Sequence, residues 1–414
     1  MPLSRRQFLK HSGATALSGH AAASRAALAA DAPVQGPIAG DPAARLPAVP
    51  FEGKHQAGIV DRPPPAACFA AFDLIAVSRH ELAELLHTLT RRARFLTAGG
   101  APPNLGTGAP PSDSGTLGPV IPADGLTVTV GLGAGLFERD RYGLHEHRPR
   151  HLKQMVSFPN DNLDPTQTGG DLLLQICAGS SDTAIHALRD IAKHTRGAMQ
   201  LRWRVDGFIA PRRPAGVPRN HLGFEDGIAN PDVTDPAVAQ RLLWANAASG
   251  EPAWAHGGTY HVIRIIKMIV EFWDRVSLDE QQQMIGRYRA SGAPLDGSSV
   301  DDIPDYHRDP HGRRIPFSAH IRLANPRTSA TDDSRILRRG YNYDRGVDIS
   351  GNLDMGLVFN CFQQDIARQF EATQTRLIGE PMVDYVSPVG GGYFFAPPGV
   401  RDKRDWYARR LFSA

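Results

Sequence analysis

The sequence of 414 residues has little cysteine, with Cys68, Cys177 and Cys361 as its three thiols and no CxxC pair. Each cysteine lies in an apolar run, so we expect buried free thiols rather than a disulfide framework or a zinc site. The sequence also lacks any run of about 18 uninterrupted apolar residues, which argues against a membrane span.

Excess charge of one sign is also missing once the N-terminus is set apart. The chain carries 46 lysines and arginines against 43 acidic residues. Residues 1–29 contain four of those basic side chains and no acid, which leaves 42 basic against 43 acidic side chains in the remainder. A nearly neutral protein without a basic run gives no reason to expect a nucleic-acid partner.

The N-terminus itself predicts export. Residues 4–10 read SRRQFLK, which is typical of a twin-arginine signal, and a run of small residues then ends at Ala27-Leu28-Ala29, an A-x-A cleavage pattern. We therefore expect residues 1–29 to be a signal peptide and the protein to be periplasmic or extracellular. Twin-arginine export moves folded proteins, typically those that acquire a cofactor first, and folding before export is compatible with free thiols.

The first half of the chain alternates strand and helix patterns after a Pro-, Ala- and Gly-rich lead-in, residues 30–65. Ser78-x-x-Glu81 is a capping box that predicts a helix to about Leu96. A second helix is expected over 182–195. Predicted strands occupy residues 68–77, 126–132, 171–178 and 199–208. This order is that of a ferredoxin-like α+β domain, residues 66–212.

The second half repeats the order less clearly, and we assign residues 213–414 to a second ferredoxin-like domain. The Pro- and Arg-rich segment 211–219 is the expected boundary. Another capping box at Ser277 predicts a short helix. The other predicted elements are strands at 259–272, 318–323, 355–361 and 393–395 and a helix at 363–378.

Asp226 is the first residue that could carry chemistry. It lies between Gly223 and Gly227, directly after the expected domain boundary. Taken alone, this GxxDG pattern is typical of a turn in which an aspartate caps backbone amides. Its functional interpretation is a carboxylate that transfers protons.

His320 and Arg338 are the other two candidates. A single histidine on a strand is usually a core residue, and an arginine pair before a glycine is usually a surface feature. The functional interpretations are a neutral imidazole that ligates haem iron and an arginine that projects into a pocket.

Together, in this order, the three motifs resemble the dye-decolourising peroxidase (DyP) family. The segments DLLLQICA (171–178), VEFWDR (270–275) and GGGYFF (390–395) share the resemblance, which extends from Gly53 to the C-terminus. The interval of 18 residues from His320 to Arg338 matches the family's spacing. With the export signal, the sequence is most similar to the iron-uptake subgroup described as deferrochelatase/peroxidase.

The resemblance implies an α+β fold of two ferredoxin-like domains with antiparallel sheets, and one haem b per subunit in the C-terminal domain. It implies that Asp226 is the distal acid, Arg338 the distal arginine and His320 the proximal ligand of the haem iron. Further haem contacts are expected from residues that follow these motifs: Gly227, Ile228, Ala229, Asn325, Pro326, Arg327 and Arg338 itself. The other ring nitrogen of His320 needs a carboxylate or similar acceptor, for which Asp332, Asp333 and Asp354 are candidates.

The implied activity is oxidation of dyes, phenols or porphyrinogen-like donors with hydrogen peroxide, and release of iron from haem for iron uptake stays open beside it. The alternative is a haem-binding or haem-delivery protein with incidental peroxidase activity. The resemblance leaves a homodimer and iron-uptake partner proteins open. Because an ordinary aspartate titrates below a histidine, we expect an acidic pH optimum.

Overall fold

The computed structural model describes residues 46–211 and 218–413. The predicted signal peptide, the lead-in up to residue 45 and residues 212–217 of the expected domain boundary lie outside the described residues. The division into two domains therefore stays a prediction. In the part of the chain that is described, no helix is long and apolar enough to cross a membrane.

The first half follows the predicted order. Ser78 caps α1 by accepting a hydrogen bond from the Glu81 backbone N–H, as the capping box predicts. Leucines at the spacing of a helical face, Leu82, Leu85, Leu86 and Leu89, are buried against the sheet. The elements are β1 (Ala66–Leu74), α1 (Arg79–Ala98), β2 (Thr127–Gly133), α2 (Gly135–Glu138), β3 (Leu172–Ala178), α3 (Ser181–His194) and β4 (Met199–Phe208).

The second half has more elements than the sequence predicts. The helix after Ser277 is confirmed, but the strand expected at 318–323 is wrong, since His320 lies at the start of a helix. The strand expected at 259–272 ends at Met268, and a helical turn follows. The elements are α4 (Pro236–Leu242), β5 (Thr259–Met268), α5 (Val270–Trp273), α6 (Leu278–Ile285), α7 (His320–Ala324), β6 (Leu337–Arg338), β7 (Tyr341–Val347), β8 (Leu353–Gln363), a π-helical turn (Ile366–Glu371) that continues into α8 (Ala372–Leu377), and β9 (Val386–Ala396).

The named strands form one antiparallel sheet that closes into a barrel. Their order is β5-β9-β2-β3-β1-β4-β7-β8-β6, and a further pairing of β5 with β8 closes the ring. Within it, β2-β3-β1-β4 and β9-β5-β8-β7 each show the strand order of a ferredoxin-like unit. Pairing of β2 with β9 and of β4 with β7 joins the two halves. The predicted α+β class with antiparallel strands is confirmed.

The barrel interior contains a core of alternate side chains from both halves. Phe69 and Leu173 meet Ile263, Val358 and Phe394 there, and all five are fully buried. Successive residues of a strand point to opposite faces of the sheet, so adjacent residues of β6 or β8 contact different parts of the protein. Arg338 ends β6 and its side chain contacts Asp226, whereas the side chain of Arg339, the next residue, interacts with Cys177 and Tyr341 of the interior core.

Candidate active site

A tight loop presents Asp226. Gly223 and Gly227 on either side of it have φ angles of +84° and +83°, a region that favours glycine. The Gly227 N–H donates a hydrogen bond of 2.6 Å to Asp226 Oδ1. The two glycines of the GxxDG pattern are therefore what the backbone needs in order to turn the carboxylate into a fixed position.

Arg338, 112 residues further along the chain, lies directly against this carboxylate. Its Nη1 donates to Asp226 Oδ1 at 2.9 Å, and each side chain is about a quarter exposed. Asp226 Oδ2 and the Arg338 Nε and Nη2 nitrogens have no hydrogen-bond partner within residues 46–211 and 218–413. The structure thus brings together the two residues predicted to act on the distal side and leaves polar atoms of both available.

Asn230 connects the two chain segments that carry this pair, a role that was not predicted from the sequence. Its Nδ2 donates to the Arg338 carbonyl oxygen at 2.8 Å, and its Oδ1 accepts from the Arg338 backbone N–H at 3.1 Å. One side chain from the Asp226 loop therefore fixes the strand that carries Arg338. Its only sequence signal is its place four residues after Asp226.

Gly340 leaves room for the Asp226 carboxylate. A Cβ atom at Gly340 would lie 2.9 Å from Asp226 Oδ2 and 3.3 Å from a methyl group of Leu357. A larger residue would therefore displace one of these side chains. A cavity of about 230 Å³ adjoins this point, with Asp226, Asn230 and Arg338 in its wall.

His320 begins α7, and its partner is Glu380. The two side chains meet at 2.6 Å between Nδ1 and Glu380 Oε2. Because a carboxylate only accepts hydrogen bonds, Nδ1 carries the proton and donates it. The sequence-based candidates Asp332, Asp333 and Asp354 were wrong, since the partner comes from the segment after α8.

The contact with Glu380 also sets the electrostatics of His320. Burial alone would lower the pKa of the ring, but the Glu380 carboxylate and its hydrogen bond raise the pKa above the usual value. Arg338 lowers and Asp226 raises the same pKa, so the three predicted residues lie within electrostatic reach of one another. With Nδ1 engaged, Nε2 is left as the atom that can ligate a metal.

Packing at both ends holds the short helix α7. At its start, Gly286 lies so close that a Cβ there would come within 2.6 Å of Ile321. At its end, Arg376 donates from Nε to the Leu323 carbonyl at 2.9 Å and from Nη2 to the Ala324 carbonyl at 3.0 Å. These bonds satisfy carbonyl groups that a helix end leaves without partners.

The residues expected to contact haem form partly open surfaces next to these side chains. Gly227, Ile228 and Ala229 are half-buried, and so is every residue from 320 to 327. Asn325 Oδ1 accepts from the Arg327 backbone N–H at 3.2 Å. Arg327 has a φ of +58°, which is unusual for a residue with a side chain and marks a strained position.

The donor set fits haem. A histidine with a free Nε2 is a common iron ligand, and the haem propionates need cations. Arg327 Nε is buried without a hydrogen-bond partner in the described part of the chain. Burial and the nearby charges of Arg327 and Arg338 lower the pKa of Arg287. Glu225 raises the same pKa, and Arg338 already pairs with Asp226, so Arg327 is the arginine left to bind a haem propionate.

Comparison with known proteins decides the family. Two family models match the chain: Dyp-type peroxidase, N-terminal, over residues 56–209, and Dyp-type peroxidase, C-terminal, over residues 217–401. The chain belongs to the Dyp-type peroxidase family. It is therefore a haem-dependent peroxidase, which confirms the predicted enzyme class and cofactor.

Relatives of this Dyp-type peroxidase include proteins named deferrochelatase. That of Escherichia coli (strain K12) is 47% identical over 413 residues, covering 99% of this chain and 96% of the relative. That of Yersinia pestis bv. Antiqua (strain Nepal516) is 48% identical over 381 residues, covering 91% and 88%. The predicted resemblance to the deferrochelatase subgroup is confirmed.

Solved structures of other family members share the fold. The DyP-type peroxidase from Cellulomonas bogoriensis is 35% identical with a TM-score of 0.78, covering 89% of this chain and 98% of that one. Ferric DtpA from Streptomyces lividans is 31% identical with a TM-score of 0.79 and the same coverage.

Proposed function

We propose that this haem peroxidase holds its cofactor between His320 on one face and the Asp226–Arg338 pair on the other. The observation that carries the proposal is the contact of Arg338 Nη1 with Asp226 Oδ1 at 2.9 Å, within electrostatic reach of a histidine whose Nε2 is free. His320 would ligate the iron. Arg327 would bind a propionate, and Gly227, Ile228, Ala229, Asn325 and Pro326 would contact the macrocycle or its edge.

Haem b, when bound, supplies a redox-active iron that accepts the oxidising equivalents of hydrogen peroxide and passes them to an organic donor. The side chains supply proton transfer and charge. Asp226 Oδ1 is engaged by Arg338 and Gly227, so Oδ2 is the atom that takes a proton from one peroxide oxygen and returns it to the other. Arg338 presents positive charge and its remaining N–H donors where negative charge develops.

The Asp226–Arg338 contact also favours an enzyme over a haem carrier. Storage or delivery of haem needs an iron ligand and propionate contacts but no acid beside an arginine. Since His320 and Glu380 alone would serve a carrier, the pair is best explained by peroxide chemistry.

Stopped-flow measurement of the reaction with hydrogen peroxide tests these roles. We expect Asp226→Asn and Arg338→Leu each to slow the reaction by about a hundredfold or more, because each removes a catalytic group while haem stays bound. Asp354→Asn is the matched control, a carboxylate that has no role in the proposal. Unchanged rates in both distal variants would overturn the assignment, and a wild-type pH optimum above neutrality would count against Asp226 as the base.

Release of iron from haem is a second proposed activity. The observation that favours it is the identity of 47–48% to proteins named deferrochelatase over most of the chain. Anaerobic incubation of the protein with haem should yield iron-free porphyrin, detected by its fluorescence. A His320→Ala control separates release at this site from release in solution, and absence of porphyrin from the wild type would refute the proposal.

We also propose export through the twin-arginine route, with residues 1–29 as the signal. The motif at residues 4–10 supports it, and a haem cofactor is the kind of group that a protein exported in the folded state can carry with it. Replacing Arg5 and Arg6 by lysines should retain the protein in the cytoplasm, as fractionation would show. Secretion of that variant at the wild-type level would contradict the proposal.

A further inference from the structure

Arg339 follows Arg338 directly, and its side chain interacts with Tyr341, Cys177 and His261 at one end of the barrel interior. It is 5% exposed. Its backbone N–H donates to the Asn360 carbonyl at 2.8 Å, and its Nη1 donates to the Asp61 carbonyl. The site of the peroxidase reaction uses Arg338, so this second, more deeply buried arginine has no part in the proposed mechanism.

The guanidinium edge formed by Nε and Nη2 holds no charged partner in the described chain, and the uncharged Tyr341 hydroxyl lies beside the guanidinium. Both atoms are buried without a hydrogen bond, and Arg339 has no ion pair in residues 46–211 and 218–413. Elsewhere in the chain this edge holds carboxylates. Arg92 donates from Nε and Nη2 to the two carboxylate oxygens of Asp190 at 2.7 and 2.8 Å. Arg204 donates from the same two atoms to the carboxylate oxygens of Asp206 at 2.9 and 2.6 Å. In Arg339, the edge that matches a planar oxyanion is buried and holds no carboxylate.

Asp61 forms no ion pair with Arg339 within the described residues, since its Oδ2 accepts from the Gly58 N–H at 2.6 Å. The other titratable groups next to Arg339 do not balance its charge. Burial lowers the pKa of His261 to about 3, so the ring is neutral. Burial raises the pKa of the Tyr341 hydroxyl well above its usual value and also raises that of the Cys177 thiol, so both stay protonated. A buried cation without a counter-charge is costly, and an anion would remove that cost.

A chain of hydrogen bonds from Gln175 through Asn360 to His261 determines which nitrogen of the His261 ring carries the proton. Gln175 donates from Nε2 to the Gly58 carbonyl at 2.8 Å, so its Oε1 accepts from Asn360 Nδ2 at 2.6 Å. Asn360 Oδ1 must then accept from His261 Nε2, also at 2.6 Å. In a neutral ring this leaves Nδ1 as an acceptor, and Nδ1 is buried without a partner in the described chain. The Tyr341 hydroxyl lies beside the Arg339 guanidinium and the Cys177 thiol.

We propose that this end of the barrel binds one small planar oxyanion, a carboxylate or hydrogencarbonate, on the Nε/Nη2 edge of Arg339. The Tyr341 hydroxyl donates a further hydrogen bond to it. The ring of His261 lies within electrostatic reach of Arg339. Its Nδ1 would favour hydrogencarbonate, because this anion carries an O–H that can donate to the nitrogen and a carboxylate does not. Arg339 also belongs to the wall of the cavity of about 230 Å³ that Asp226 and Arg338 line, and a ligand would enter from this cavity.

Calorimetric titration of the haem-loaded protein with formate and with hydrogencarbonate, at ionic strength fixed with chloride, tests the site. We expect one equivalent to bind, hydrogencarbonate more tightly than formate. Arg339→Gln should weaken binding about tenfold or more, since two charge-assisted hydrogen bonds are lost. Arg204→Gln, which removes an arginine already paired with Asp206, is the matched control. Binding that shifts the Soret band occurs at the iron and is counted separately.

A crystal structure of the wild-type protein with formate keeps the proposal testable if Arg339→Gln does not fold. We expect a planar ligand against the Nε/Nη2 edge. Water alone there at saturating formate, or equal affinity of wild type and a folded Arg339→Gln variant, would overturn the proposal. Neither result bears on the roles of Asp226 and Arg338, which the peroxide kinetics test independently.

Discussion

Replacing Glu380 tests how strongly the protein depends on the carboxylate behind His320. The bond of 2.6 Å between His320 Nδ1 and Glu380 Oε2 is short and involves a charged acceptor, and Glu380 is almost fully buried. Loss of such a partner from a metal-ligating histidine typically costs about 10–100-fold in metal affinity or activity, or about 1.4–2.8 kcal/mol in binding. Glu380→Gln retains an acceptor and removes the charge, so we expect the lower end of this range. Glu380→Ala removes both and should reach the upper end.

Haem loss to an excess of apomyoglobin, followed in the Soret band, measures this effect. Asp384→Asn is the matched control, because Asp384 is an exposed carboxylate four residues further along the same segment. We expect faster haem loss in the order wild type, Glu380→Gln, Glu380→Ala, with the control at the wild-type rate. If both Glu380 variants lost haem as slowly as wild type, the proposed support of His320 by Glu380 would be refuted.

Three further predictions concern other parts of the structure. Asn230→Ala should slow the peroxide reaction about tenfold, because Arg338 loses two backbone hydrogen bonds, and stopped-flow measures it. Gly340→Ala should slow the same reaction with little change in the unfolding midpoint, because the added Cβ displaces the Asp226 carboxylate. His261 has a folded pKa of about 3 against 6.5 when unfolded. The unfolded state therefore binds the extra proton between these values, and the free energy of unfolding should fall by about 3 kcal/mol from pH 6.5 to about pH 4 on this account.

Each of these predictions has its own control. Gly108→Ala adds a Cβ in open space and should leave the peroxide rate unchanged. A Gly340→Ala rate equal to that of Gly108→Ala would contradict the crowding argument. For Asn230, unchanged kinetics in the alanine variant would show that the strand pairing of Arg338 with Cys361 suffices. For His261, urea unfolding of His261→Gln at both pH values should show a flatter dependence, and parallel curves would disprove the assignment.

Local patterns predicted much of the fold. Ser78 and Glu81 specify the start of α1, and the apolar runs of the first half fall on β1 to β4 within a few residues. His320 shows where this reasoning fails. Its segment alternates in a way that favours a strand, but close packing against Gly286 and the bonds from Arg376 stabilise a helix of five residues. Closure of the barrel by β5 and β8 likewise depends on contacts far apart in the chain.

The candidate site was likewise predictable where its residues belong to local motifs and not where it depends on contacts distant in sequence. Asp226, Arg338 and His320 belong to motifs with recognisable order, and the structure brings Asp226 and Arg338 into contact. Glu380 was not predictable, because it stands 60 residues after His320 with no motif around it. The carboxylates chosen instead were nearer in sequence, but Asp332 and Asp333 pair with Arg241.

A crystal structure of the haem-loaded protein tests the central claim most directly. We predict that the iron is bonded to His320 Nε2, that Glu380 remains on Nδ1, and that Asp226 and Arg338 lie across the opposite face of the haem. An iron ligated by another side chain, or Asp226 and Arg338 on the same face as His320, would contradict the account.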